Sequence, residues 1–172
     1  MNISKLDAAR RQLDSAITLY FRNGDPISIH TLTAAAHQIL MDLGKKEGIK
    51  SVFKECSLMF ISEEKHKEYL KLINKAENFF KHANQDPNEL LDFNPETTDF
   101  FLIDAVEMYM QLTKETPEDM GILRAWILIN YPDFLTQEIR IKSMQLNVAS
   151  VKEKGKQKFY QDFKLALIEG LI

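Results

Sequence analysis

The chain has 172 residues, 45% of them hydrophobic and 27% charged, with a formal net charge of −3. That length fits one domain, or one domain with a long terminal appendage, and the composition is that of a chain with a core. The slight acidity excludes a chain-wide basic field for nucleic acid, so anion binding must come from a local patch. The single cysteine, Cys56, excludes an intramolecular disulfide framework and a Cys-pair zinc site.

A reducing cytoplasm is the simplest setting for such a chain. Residues 1–7 lead straight into a charged amphipathic pattern, with no apolar leader region. The longest apolar runs, such as 125–129, are too short to cross a bilayer. The expectation is therefore a cytoplasmic protein with no membrane partner.

In chain order, almost every segment carries helical periodicity. Ser4 caps a first helix with Leu6, Leu13, Ala16, Ile17 and Tyr20 on one stripe, and Asn23-Gly24 stops it. Asp25-Pro26 pairs an N-cap with proline at the first helical position and opens a second helix that reaches Leu43, with Gly44 as its end. Residues 49–60 are ambiguous between a short helix and an irregular connection. Ser62 starts a central helix running to about Ala83, with Tyr69, Leu72, Ile73, Ala76, Phe80 and Ala83 as its core stripe. Asp86-Pro87 breaks it.

Asn94-Pro95-Glu96 starts the next helix, which bears Phe100, Phe101, Ala105, Met108, Tyr109 and Leu112. Thr116-Pro117-Glu118-Asp119 repeats that signal for a helix containing Trp126, and Asn130-Tyr131-Pro132 interrupts it. The lysine-rich residues 150–158 form a connection to a last helix from about Lys158 to Glu169. No strand-length alternation and no solenoid repeat is evident. The expected architecture is all-α, a compact bundle of five to seven helices in a single domain over residues 1–172.

The central helix carries the chemistry. At roughly 100° per residue its apolar stripe clusters within about 80°, and Asn78 falls nearly opposite it. Lys75 and His82 lie about 60° and 40° further round, with Lys71 beside them, so Lys75, Asn78 and His82 form one polar ridge. A ridge of this kind faces solvent, a ligand or a partner chain, and a plain solvated face is the commoner outcome.

The segment Asn78-Phe79-Phe80-Lys81-His82-Ala83 resembles the signature of the HEPN superfamily, helical domains of bacterial toxins, abortive-infection proteins and RNA-processing enzymes. That motif is an arginine, commonly followed by a polar residue such as asparagine, with a histidine four to six positions beyond the arginine. The segment is also similar to a group of small bacterial proteins with an Asn-Phe-Phe-Lys-His-Ala core followed by Asp-Pro, as Asp86-Pro87 is here. The resemblance implies a bundle that pairs as a homodimer across the motif helix, binds RNA or a nucleotide, and cleaves without metal or cofactor through the substrate's 2′-hydroxyl. His82 is then the proton-transfer group and Asn78 its catalytic neighbour. Glu77 stands where the family's arginine belongs, leaving the phosphate clamp unfilled unless Lys75 or Lys81 supplies a point charge.

Other constellations are weaker. His30 and His37 share a stripe beside the core face of the second helix. Two imidazoles with a neighbouring carboxylate can bind a metal, but no Glu-x-x-His pair accompanies them, and satisfied boundary histidines are expected. Lys65, Lys67, Lys71 and Lys75 alternate with glutamates as on a salt-bridged face. Lys152, Lys154, Lys156 and Lys158 suit a solvated face or an RNA backbone. The functional expectation is an RNA- or nucleotide-binding HEPN-like protein of bacterial defence or stress, with degenerate or absent ribonuclease activity. The competing expectation is a non-catalytic domain that binds another protein through the ridge.

Overall fold

The computed structural model describes residues 1–55, 62–84, 87–131 and 148–170, the side chains of 148–152 excepted. Six α-helices and one short 3₁₀ turn, Lys45–Glu47, account for the secondary structure, with no strand among the described residues. The all-α bundle expected from periodicity is thus what the chain forms.

Helix α1 (Lys5–Phe21) begins at a reciprocal cap, where Ser4 Oγ accepts from the Asp7 amide at 3.0 Å and Asp7 accepts from the Ser4 amide at 3.2 Å. Helix α2 (Pro26–Gly44) begins at Asp25, whose carboxylate accepts from the Ser28 amide at 2.7 Å. Helix α2 ends at Gly44 as expected, but Gly44 keeps right-handed angles (φ −68°) and leads directly into the 3₁₀ turn; the left-handed glycine is Gly48, whose φ of 70° strains a side chain.

Helix α1 packs along α2, and α2 along α4 (Thr97–Thr113). Leu13 and Ile17 of α1, Leu40 of α2, and Leu102 and Val106 of α4 are almost fully removed from water. Each such side chain contributes about 1.5–3 kcal/mol relative to an exposed one. Helix α5 (Glu118–Asn130) closes the core with Trp126, whose Nε1 donates to Tyr20 Oη at 3.1 Å. Tyr20 and Tyr131 each donate to Asp99 Oδ2 at 3.1 Å, tying α1, α4 and the end of α5 together.

The final helix, α6 (Val148–Ile168), is helical on both sides of Gly155, which breaks it at φ 74°, ψ 165°. The lysine-rich stretch is therefore wound as helix up to and after that one residue. Phe159 then packs on Trp126 at 5.2 Å between ring centroids, and Tyr160 stacks on Phe21 at 4.6 Å.

Helix α3 (Glu63–Lys81) departs most from expectation. Its ends are close to those anticipated, but it is turned about its own axis by roughly 60° from the apolar stripe. His66 is buried and Glu77 faces the bundle, whereas Leu72 is 72% exposed and Ala83 is exposed. Tyr69, Ile73, Ala76 and Phe80 are only half-buried.

An ion pair beneath the helix supplies the physical reason. The Lys54 side chain is 7% exposed, its Nζ lies 3.3 Å from Glu77 Oε2, and it sits 5.1 Å from the centre of the Phe101 ring. A charge so far removed from water costs several kcal/mol unless it is paired. The helix therefore turns a carboxylate inward in place of a leucine. Lys81 donates to the other Glu77 oxygen at 2.7 Å.

Removing one partner by Glu77→Gln is expected to destabilise the fold by about 3 kcal/mol in urea titrations, and the Lys54→Met/Glu77→Leu double variant is expected to recover most of that loss. Burial pushes the Glu77 carboxyl up, but the Lys81 hydrogen bond and the Lys54 charge outweigh it and hold the group below its ordinary value. A carboxyl held low in the folded state adds stability that is complete above its unfolded pKa and is lost as pH falls through the folded value. Stability measured below about pH 4.5 is thus expected to fall more steeply in the wild type than in Glu77→Gln.

Candidate functional site

The outward side of α3 forms one wall of a groove of about 600 Å³. Lys71, Lys75, Asn78 and His82 follow one another along it at spacings of four, three and four residues. Side chains so spaced lie along one helical face. Phe79 lines the groove beside them, with Asn84 and Glu89 from the connection that follows.

Helix α3 ends at Lys81, two residues before the expected end, because His82 takes an extended conformation (φ −133°, ψ 133°). His82 stays in the groove because it is the capping residue, its amide donating to Asn78 O at 3.0 Å. The carbonyl end of a helix carries partial negative charge, so the attraction for an anion here comes from lysines and not from the backbone. Lys75 Nζ lies 3.3 Å from Glu89 Oε1, whereas Lys71 has no ion pair among the described residues.

The structure thus brings Lys75, Asn78 and His82 together, as the ridge pattern anticipates. It separates Lys81 from them: that lysine is occupied by Glu77 on the inward flank and does not line the groove. Position 77 likewise looks into the bundle. Among the described residues no arginine lines the groove. What the groove offers is cationic point charge from Lys71 and Lys75, amide and imidazole groups from Asn78, Asn84 and His82, and one aromatic ring at Phe79. Such a set can hold a phosphate and lay an unsaturated ring against Phe79.

A second polar centre lies inside the bundle. Asp104 Oδ2 accepts from Ser51 Oγ at 2.6 Å and lies 2.8 Å from His37 Nε2, while Oδ1 accepts from the Val52 amide at 3.0 Å. Ser51 Oγ also accepts from the Lys54 amide at 2.9 Å, and the Ser51 amide donates to Glu55 at 2.9 Å. Serine, histidine and aspartate meet here without forming a nucleophilic relay. The same ring nitrogen, Nε2, faces both Asp104 and Ser51, and both Ser51 and His37 are fully buried. The cluster is a structural knot that ties residues 51–55 to α2 and α4, and so delivers Lys54 to Glu77.

His30 and His37 are fully built into the interior rather than standing at its boundary. His37 stacks on Phe101 at 4.4 Å, and His30 Nδ1 is hydrogen-bonded to Thr98 Oγ1 at 3.0 Å. Among the described residues no group of three or more His, Cys, Asp or Glu side chains is placed to hold a metal. Three lysines of the last helix, Lys154, Lys156 and Lys158, also have partners within the chain. Lys158 and Lys154 reach Asp162 at 2.6 and 3.8 Å, and Lys156 lies 4.0 Å from the centre of the Tyr20 ring.

Sequence reading missed Asn84 and Glu89, which come from a connection without periodicity, and the whole Ser51–His37–Asp104 cluster. Asp104 did carry a signal. It is a carboxylate set inside the apolar run Phe100-Phe101-Leu102-Ile103-Asp104-Ala105-Val106, and such a residue needs buried partners. Comparison with known proteins finds no matching family model, curated protein or solved structure.

Asp104→Ala leaves the Ser51 hydroxyl, the Val52 amide and the His37 ring without their acceptor. It is expected to cost about 3–5 kcal/mol in chemical denaturation and to accelerate hydrogen exchange at the Val52 amide. Ser51→Ala, which leaves Asp104 with its other two donors, is expected to cost about 1–2 kcal/mol.

Proposed function

We propose that the protein is a HEPN-like helical bundle whose α3 groove binds the phosphates of single-stranded RNA or a nucleotide without cutting the chain. The observation that carries this reading is the convergence of Lys71, Lys75, Asn78 and His82 on one groove of about 600 Å³ with Phe79 beside them. Phosphate contacts come from lysine, amide and imidazole donors, and a base stacks on the phenylalanine.

Binding without cleavage follows from what the groove lacks. A metaphosphate-like or pentacoordinate centre needs concentrated positive charge, which a guanidinium fork provides bidentately. Here the position that would carry it is Glu77, which is turned inward to Lys54 and Lys81. The point charge of Lys75 is shared with Glu89. His82 can still hydrogen-bond a phosphate oxygen, but among the described residues lining the groove no arginine stands beside it to stabilise the charge that builds up during cleavage.

Fluorescence anisotropy with a short single-stranded RNA in chelator, at low salt, tests the reading. The wild type is expected to bind, and Lys71→Ala/Lys75→Ala to bind at least about tenfold more weakly with a salt slope flatter by about 1.4. Glu89→Ala frees Lys75 and is expected to tighten binding. Neither the wild type nor His82→Ala is expected to yield RNA fragments. Affinity unchanged in the double lysine variant would contradict the assignment, and a co-purifying protein bound through the same lysines would favour the protein-binding alternative.

A further inference from the structure

Away from α3, the starts of α2 and α4 meet α1 and α6 around a small cavity of about 190 Å³. It shares no lining residue with the phosphate groove. Tyr20 of α1 stands in its wall between two opposite charges. Lys156 Nζ lies 4.0 Å from the centre of the Tyr20 ring, and the Tyr20 hydroxyl donates to Asp99 Oδ2 at 3.1 Å. Lys156 and Asp99 both line the cavity, with the exposed Glu96 beside them.

Neither charge is fully met by the protein. Asp99 Oδ2 accepts from both Tyr20 and Tyr131, whereas Oδ1 has no hydrogen-bond donor among the described residues. Among those residues Lys156 makes no hydrogen bond or ion pair and meets only the face of Tyr20. Both side chains are half-buried, yet neither Asp99 Oδ1 nor Lys156 Nζ is sealed from solvent. Burial pushes Lys156 below its ordinary pKa despite the attraction of Asp99. Burial likewise pushes Asp99 up, despite its two tyrosine hydrogen bonds and the charge of Lys156. Charges withdrawn from water are ordinarily paired, and each of these is short of a partner. The frame around them is rigid, because Trp126 Nε1 donates to Tyr20 Oη and Phe159, three residues after Lys156, packs on Trp126.

We propose that this cavity binds a small α-amino acid as its zwitterion, with the ammonium on Asp99 Oδ1 beside Glu96 and the carboxylate on Lys156. Charge and size both select that class. A simple anion meets like charge at Asp99 and Glu96, and a simple cation meets it at Lys156. A zwitterion answers both signs at once. Two charge-assisted hydrogen bonds of about 2.8 Å, joined through the amine and carboxylate of one α-carbon, span roughly 8 Å, which suits charges set across a single tyrosine ring. At ~30 Å³ per water the cavity has room for about six waters, or for a ligand of similar atom count such as glycine or alanine. Pro26, Ile29 and Pro95 complete the wall and can take a methyl group.

Because the two sites share no residue, either can fail without the other. The test is titration of the full chain with L-alanine, propionate and ethylamine, each up to about 50 mM, followed by NMR and calorimetry. L-alanine is expected to saturate one site in the millimolar range, with propionate and ethylamine each at least about tenfold weaker. The Lys156 ε-methylene and the Asp99 carboxyl carbon are expected to shift, while the Lys71 and Lys75 methylenes stay unchanged. Lys156→Met keeps an apolar stem over Tyr20 and removes the charge, so the melting temperature is expected to hold while L-alanine affinity falls at least about tenfold. Glu96→Gln, at an exposed position, is expected to weaken L-alanine about two- to threefold without weakening propionate. Absence of saturable L-alanine binding would leave the cavity to water and overturn the site. L-alanine binding no tighter than that of propionate, or unaffected by Lys156→Met, would overturn it equally.

Discussion

The pairing of Lys54 with Glu77 sets the orientation of α3, and the orientation of α3 sets which side chains meet solvent. Two charges with little exposure must face each other, because neither can be left alone in the interior at tolerable cost. Lys54 is itself held in place from behind. Its amide donates to Ser51 Oγ, Ser51 donates to Asp104, and Asp104 is anchored in α4 beside His37 of α2. A line of polar contacts thus runs from the core of the bundle to the last turns of α3. Each member is buried enough that its loss leaves another unsatisfied.

This line gives Glu77 a structural role that its resemblance to a nuclease motif obscures. Beside Asn78 in sequence, it is nearly a third of a turn away in space, and its carboxylate serves the interior. The groove keeps Asn78 and His82 and adds Lys71, Lys75 and Phe79, which together suit recognition of a phosphate and a base more than its cleavage. The proposed activity is accordingly one of binding, with the chemistry of the motif reduced to hydrogen bonding and charge.

Much of the fold was legible in the sequence because helix starts have local causes. Ser4 with Asp7, and Asp25 ahead of Pro26, satisfy amides that a helix leaves bare, while Pro117 before Glu118 marks a start that has no side-chain cap, and the structure begins helices at all three. The ridge of Lys75, Asn78 and His82 was legible for the same reason, being a matter of spacing within one helix. The rotation of α3 was not. Periodicity counts apolar residues, and here the inward side is decided by a charge pair whose members lie twenty-three residues apart, one of them in a stretch with no clear period. His30 and His37 show the same limit from the other side. Their shared stripe was visible, but their partners Thr98 and Asp104 stand on another helix.

Helix α3 carries its polar ridge outward and the Glu77 ion pair inward, which leaves the outward face open to ligands while the core lies behind α2 and α4. The most direct measurement of the phosphate-groove account is an NMR titration of the isotopically labelled chain with a short single-stranded RNA. The Asn78 side-chain amide, the His82 ring and the Lys71 and Lys75 ammonium-adjacent methylenes are predicted to shift together with one affinity, while the His37 ring stays unchanged. Shifts that bypass these four residues, or that spread equally over the lysines of α6, would contradict it.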